Sequence, residues 1–351
     1  MHRSKQTFFQ FLVILSGLVM ACVVILLCSD EPAVALKFFF TGPFSSVYFF
    51  GDMLAKAVPL IITGLAATVS FSASVWNLGT EGMVYFGMLT GTLAAYFLRG
   101  WPAPLAMPLM FLAAMLGGVI PSAICNLLKN KFNVSIMMSS LMVANMIFYL
   151  VIMIVEGPFR DISSGQGVTS YAVSENFRFP LLLEKSDLNS SLFLALALVA
   201  LVYFGIRRSR LGYEITMTGR NPSFAKYGGI NTVAVASAAM LISGGLAGVG
   251  GMTYVMSTSF RLRNQLPGIG WDGVSIAMIA RNNPILVVLV ALFFAFLEKG
   301  AESAALFADI TPDMAQIIQG AILLLVTSDR LIEALMRDRK KAVRRLGEAG
   351  V

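Results

Sequence analysis

Apolar residues in this chain come in long unbroken runs, and the polar positions gather between the runs instead of alternating with them. Such runs lie near 8–28, 51–72, 81–98, 104–128, 134–156, 190–206, 233–256, 270–280, 284–300 and 314–327. They predict about ten helices, since roughly 20 apolar residues cover a hydrocarbon layer of about 30 Å and a helix satisfies its own backbone there. The eighth run is short for a full crossing. Two polar stretches break the pattern. Residues 157–189, mixed in charge and rich in Gly, Ser and Asn, predict a folded surface loop. Residues 207–231 begin with Arg207, Arg208 and Arg210 and predict a short amphipathic helix. Asn221-Pro222 supplies an N-cap and a first-turn proline, and Gly228-Gly229 a permissive stop. A structured turn of this kind suits docking of a soluble partner, and it reads equally as an ordinary basic loop.

Composition sharpens this into a class. With 57% hydrophobic and 13% charged residues over 351 positions and a mean hydropathy of +0.78, the chain is far from the roughly 25% charge of soluble domains. It reads as an all-α polytopic membrane protein. The formal charge of +7 could suggest nucleic acid, but the basic residues sit at the ends of apolar runs and in the 330–345 tail, as inner-face anchors do. An inside N-terminus puts Lys129, Lys131, Arg207 to Arg210, Arg281 and the tail on the cytoplasmic side, and ten spans return the C-terminus there. Asp30, Glu31 and the 157–189 loop then face outward. Arg261 and Arg263 break the charge rule locally, with Asp272 nearby as a candidate offset. Ala33-Val34-Ala35 resembles a signal cleavage site. The 21-residue run from Phe8 to Cys28 exceeds the about 7–15 of a signal core, so a retained anchor is expected.

Candidate chemistry is sparse. Cys22, Cys28 and Cys125 lie within apolar runs, and the single histidine, His2, precedes the first one, so neither a disulfide nor a metal site is expected. No phosphate-cradling G-x-x-x-x-G-K-[ST] occurs, and Gly248-Val249-Gly250 lacks the third glycine of a dinucleotide fingerprint. Any ATP-driven role therefore needs another subunit. Gly87 and Gly91, and Gly244, Gly245, Gly248, Gly250 and Gly251, mark close helix approach or a pathway. Trp76-Asn77-Leu78-Gly79-Thr80-Glu81-Gly82 carries an acid between two apolar runs. Glu81 reads either as a first-turn acid on a terminus capped by Asn77 or Thr80, or as part of a polar pathway.

Four ordered motifs carry a resemblance: N-L-G-T-E-G from Asn77, S-I-M-M-S-S-L-M-V-A-N-M from Ser135, G-R-N-P-S-F-A-K-Y-G-G-I-N from Gly219, and G-I-G-W-D-G-V-S-I-A-M-I-A-R-N-N-P from Gly268. Over about 50–328 the chain resembles the permeases of bacterial ABC importers for simple sugars and nucleosides, relatives of the branched-chain amino acid permeases. The resemblance implies one permease domain over 1–328, a 329–351 cytoplasmic tail, and no cofactor in this chain. ATP and Mg would sit on two partner ATPase domains. The other implied partners are a second permease subunit, either a paralogue or a second copy, an extracytoplasmic solute-binding protein, and the lipid of the inner membrane. Gly219, Arg220, Asn221, Pro222, Ala225, Gly229 and Ile230 fall in the family's ATPase-coupling loop. Phe224 and Gly228 depart from its usual alanines, and Glu214 from a common basic residue. Asn77, Gly79, Glu81 and Gly82 match N-[IL]-G-x-E-G and, with Asn145, Trp271 and Asp272, are assigned to the translocation region.

The implied mechanism is alternating access driven by the ATPases, with a nucleoside or related ring-bearing solute favoured over a free sugar and riboflavin as an alternative. Phe177, Phe179, Tyr254, Phe260 and Trp271 would suit stacking on such a ring, or an interfacial aromatic belt. A rival class, an ion-coupled carrier, would need intramembrane acids. Glu81, Asp272 and Glu298 instead lie near expected span ends.

Overall fold

A computed structural model describes residues 18–19, 21–26, 29, 31–162, 168–263, 267–308, 317 and 320. The described residues form helices, turns and isolated bridges. From Pro32 onward the described residues include, in order, α1 (Pro32–Thr41), α2 (Val47–Ser72), α3 (Thr80–Phe97), α4 (Ala103–Phe132), α5 (Ile136–Glu156), α6 (Ser191–Arg208), α7 (Arg210–Arg220), α8 (Pro222–Tyr227), α9 (Thr232–Tyr254), α10 (Ile269–Ile279) and α11 (Pro284–Phe307). Among the described residues, six stretches are long and apolar enough to cross a membrane: α2, α4, α5, α6, α11, and α9 with its continuation to Ser259. The expected first span lies in greater part, the tenth almost wholly and the basic tail wholly outside the described residues.

The chain divides into two compact units, residues 44–295 and the pair 1–43 with 296–351. In the larger unit α2 is the central helix: 89% of its apolar window is buried, against 17% for α6, whose outward residues include Phe193, Leu201 and Phe204. An apolar surface of that kind suits lipid. Helices α3, α4 and α9 close on one another where side chains are missing. A Cβ on Gly248 would fall on the Ala114 carbonyl, one on Gly118 on the Gly244 carbonyl, and one on Gly87 on the Gly248 backbone. The glycine stripes are thus packing surfaces, in the manner of small-residue contacts between membrane helices. Helix α10 rests on α2 through Ala67, Phe71, Val274 and Ala277.

The two ends of α9 carry different structures. Past Tyr254 the helix widens into a π turn over Val255–Ser259, and Leu262 and Phe260 accept the backbone N–H groups of Ser170 and Val173. The described residues of the 157–189 region pack into a folded segment, with Phe177 wholly buried. Arg261 is held by Asp161 at 2.7 Å, a partner that the sequence reading did not name. The aromatic residues there pack internally: Phe179 meets Phe111, and the Arg178 guanidinium lies 4.5 Å from the Phe260 ring centre. At the other end, Asn231 caps the start of α9 by accepting from Ala234 N at 3.1 Å.

The smaller unit holds α1, which the sequence reading did not anticipate. Its ten residues are too few for a crossing, and Lys37 interrupts the run. Pro32 starts it, and its far end packs on the later turns of α11. Gly42 sits against Ser303, Gly300 against the Phe39 carbonyl, and Phe38 stacks on Phe307 at 4.6 Å.

Candidate functional site

The 209–231 segment is a helical hairpin that closes its own ends. Ser209 starts α7, its Oγ accepting from Gly212 N at 2.9 Å. Asn221 ends α7 and starts α8, its Oδ1 accepting from Phe224 N at 3.0 Å, with Pro222 in the first turn. Gly229 takes φ +80 beyond α8, the left-handed region open to glycine, and Ile230 N then donates to the Ala225 carbonyl at 3.0 Å. The sequence predicted one amphipathic helix here. The structure forms two, because Ser209 caps an earlier turn and Arg210 pairs with Glu214 at 3.0 Å along the same face. Ala225 is buried, whereas Tyr213, Phe224 and Tyr227 are exposed beside Arg210, Arg220 and Lys226. The departures Phe224 and Glu214 therefore lie on or beside the outward face.

The hairpin approaches the bundle closely at Gly219. A Cβ on Gly219 would fall on the Ser72 carbonyl, and Ser74 Oγ donates to the Gly219 carbonyl at 2.7 Å. The chain then turns back into the bundle instead of leaving it. Asn77 is wholly buried. Its Nδ2 donates to Ser243 Oγ, halfway along α9, at 3.3 Å, and its Oδ1 accepts from Gly79 N at 3.1 Å. Leu78 N donates to Ser140 Oγ of α5 at 3.2 Å. Gly79 and Gly82 let α3 lie against α5, since a Cβ on either would strike the Ser140 carbonyl or the Ala144 backbone. Helix α3 therefore begins inside the bundle. Neither Asn77 nor Thr80 caps it: Gly79 occupies the cap position, and Thr80 Oγ1 donates back to the Asn77 carbonyl.

Glu81 belongs to α3 by sequence and caps α10. Its Oε1 accepts from Gly268 N at 2.9 Å, and its Oε2 accepts from Gly270 N at 2.6 Å and Trp271 N at 3.3 Å. The first N–H groups of a helix have no partner within it and carry the positive end of its dipole, so a buried carboxyl is a fitting acceptor. Three such bonds, at about 1.5–3 kcal/mol each, offset part of the several kcal/mol that burying a carboxylate takes. Gly270 permits the approach, because a Cβ there would overlap the Glu81 backbone. Glu81 lies in the first turn of α3, as the sequence reading has it, and that helix end is packed within the bundle, with Glu81 at 3% exposure.

The remaining candidates are placed apart. Trp271 joins the Glu81 locus through its backbone, while its side chain is 46% exposed. Asp272 lies in the first turn of α10. Asn145 is exposed on α5 and donates to its own helix at the Leu141 carbonyl, 2.9 Å away, not to another helix. It shares a face with the exposed Met138, Met142, Met146, Tyr149 and Met153. The sequence reading passed over Ser74 and Ser243, and it held Ser140, Gly268 and Gly270 only as members of its motifs, without a role of their own.

A helical bundle with lipid-suited outer faces, a self-capped polar hairpin at one end and a polar turn buried in its core defines an all-α polytopic membrane protein. The chain belongs to the family described as branched-chain amino acid transport system / permease component, which matches residues 49–327. It is a permease of the ABC-transporter type. It is 29% identical over 91% of its length to the glucose ABC transporter permease protein TsgB13 of Haloferax volcanii, covering 86% of that protein. It is 25% identical over 93% of its length to the guanosine ABC transporter permease protein NupP of Bacillus subtilis, covering 95%. One chain of PsaBC from Streptococcus pneumoniae in complex with Fab shares the fold, with a TM-score of 0.50 at 13% identity over 83% of this chain and 95% of that one.

Proposed function

We propose that this chain is one of two permease subunits of an inner-membrane importer that moves a nucleoside or a related ring-bearing solute, with a free sugar or riboflavin as the alternative cargo. Motion enters through the 209–231 hairpin, which seats on an ATPase by its exposed face of Tyr213, Phe224 and Tyr227 among basic residues. The single observation that carries this reading is the chain of contacts from Gly219 through Ser72 and Ser74 to Asn77, and from Glu81 to the start of α10. Packed elements of this kind transmit a displacement as a unit, since cores have discrete arrangements and do not deform smoothly. Nucleotide drives the cycle by binding the two conformations with different affinity.

A nucleoside is supported by NupP, whose name specifies guanosine, and a sugar by TsgB13. A paralogous second subunit is supported by Bacillus subtilis NupP and NupQ, both of which resemble this chain. The other partners are two ATPase domains that hold ATP and Mg, an extracytoplasmic solute-binding protein, and membrane lipid. In this reading residues 1–328 form one domain of ten spans with both termini inside, and the 329–351 tail is cytoplasmic. The 157–189 loop faces outward, as the separation of that loop from the hairpin by the length of α9 supports.

The test is reconstitution with the second permease and the ATPase in liposomes, followed by uptake of guanosine, glucose and riboflavin delivered by the binding protein. ATP-dependent uptake of one compound is expected. Uptake by this chain without ATPase, following an ion gradient, would overturn the reading.

A further inference from the structure

Beside the hairpin a cleft of about 650 Å³ opens between the 73–76 turn, the last turns of α4, the first turn of α5 and the start of α9. The residues that line it include Trp76, Asn126, Lys129, Asn130, Asn133 and Thr218, with no Asp or Glu among the described residues there. Thr218 is 4% exposed, and its Oγ1 is buried without a hydrogen-bond partner. Two residues earlier on α7, Thr216 satisfies its hydroxyl on the Gly212 carbonyl at 2.8 Å. Thr218 makes no such bond, which leaves a buried donor and acceptor at the cleft wall, an unfavourable arrangement unless something binds there.

The rest of the lining says what would bind. Asn126 and Asn130 both spend their Nδ2 groups on Ser237, at 3.0 Å each, and their Oδ1 atoms are left to accept from a ligand's hydroxyl or amine. Lys129 donates to Asn133 Oδ1 at 3.1 Å. Trp76 is braced against Phe71 with ring centres 5.0 Å apart and is 39% exposed. An aromatic surface, carbonyl acceptors and an unpaired hydroxyl suit a neutral ring that carries hydroxyl groups. The volume lies within the about 300–1,000 Å³ of small-molecule sites.

We propose that this cleft is an inner-end binding site for the transported solute, a nucleoside-sized ring compound held after passage and before release. It rests on the importer reading above and is separate from the Glu81 locus. Two of its walls are tied to the hairpin: Thr218 belongs to α7, and the 73–76 turn is bonded to Gly219 through Ser74. Occupancy and hairpin position are therefore linked, so the site empties when the hairpin moves.

The test uses the assembled complex of both permeases and the ATPase in nanodiscs, without binding protein. Tritiated guanosine, glucose and riboflavin are the probes. The compound that the same complex takes up in liposomes is expected to bind saturably. Thr218→Val and Trp76→Ala should each weaken that binding about five- to tenfold, as loss of one hydrogen bond or one stacking surface does, while Trp76→Phe retains most of it. Co-elution of each variant with the ATPase confirms that it folds. Uptake of one probe, with binding absent or unmoved by Thr218→Val and Trp76→Ala, overturns the cleft and leaves the importer intact. Uptake of none overturns the importer reading and the cleft with it.

Discussion

Two polar interruptions of an apolar chain, 73–82 and 209–231, meet opposite fates. The hairpin satisfies itself locally: Ser209, Asn221 and Asn231 each cap a helix that starts at the next residue. The 73–82 turn depends on distant partners: Ser243 holds Asn77, Ser140 holds Leu78, and Gly268, Gly270 and Trp271 hold Glu81. A segment that closes its own hydrogen bonds can stand in water and meet a partner. One that borrows them from three helices locks those helices together. Polarity in the sequence thus says that a segment is not lipid-facing and leaves its depth open.

The contrast makes graded predictions. Glu81→Ala should be the most damaging change, because it strands three buried N–H groups at about 1–3 kcal/mol each; thermal unfolding of the purified complex should show a loss of several kcal/mol, with Glu81→Gln losing less. An unchanged melting point for Glu81→Ala would break the claim that this residue fastens α10. Gly219→Ala comes next, since its Cβ meets the Ser72 carbonyl and overpacking of this kind takes about 1–3 kcal/mol. The expected phenotype is ATP hydrolysis that no longer drives uptake, and normal coupling in that variant would contradict it. Asn221→Ala removes one cap, worth about 1 kcal/mol, and should lower ATPase affinity, with Asn221→Asp restoring it; equal affinity for all three forms would show that the cap is dispensable. Gly228→Ala is the mildest. Gly228 has φ −76, and an added Cβ would lie 3.4 Å from the nearest atom, so stability should change by under about 0.5 kcal/mol. A larger drop would mean that this turn is packed against the bundle.

The same division explains what could be read in advance. Long helices announced themselves because hydrophobic runs are local: the stretches near 104–128 and 190–206 became Ala103–Phe132 and Ser191–Arg208. Asn221-Pro222 marked the start of α8 for the same reason. Helix α1 was missed because a ten-residue run containing Lys37 resembles neither a span nor a loop. Helix α7 was missed because its charged face blended into the basic stretch after α6. The partners of Glu81 are 187 and more residues away, so no pattern around Glu81 could identify them. Phe177 looked available for a ligand because its burial depends on how the 157–189 loop folds over it.

The account turns on movement that enters at the hairpin and reaches α10 through Glu81. Uptake per ATP hydrolysed, measured in liposomes for the wild-type complex and for Glu81→Gln, tests this most directly. A fall of about tenfold or more in that ratio, with hydrolysis retained, is the predicted result, as loss of about 1.4 kcal/mol of coupling requires. An unchanged ratio would contradict it, since the hairpin would then reach the pathway by another route.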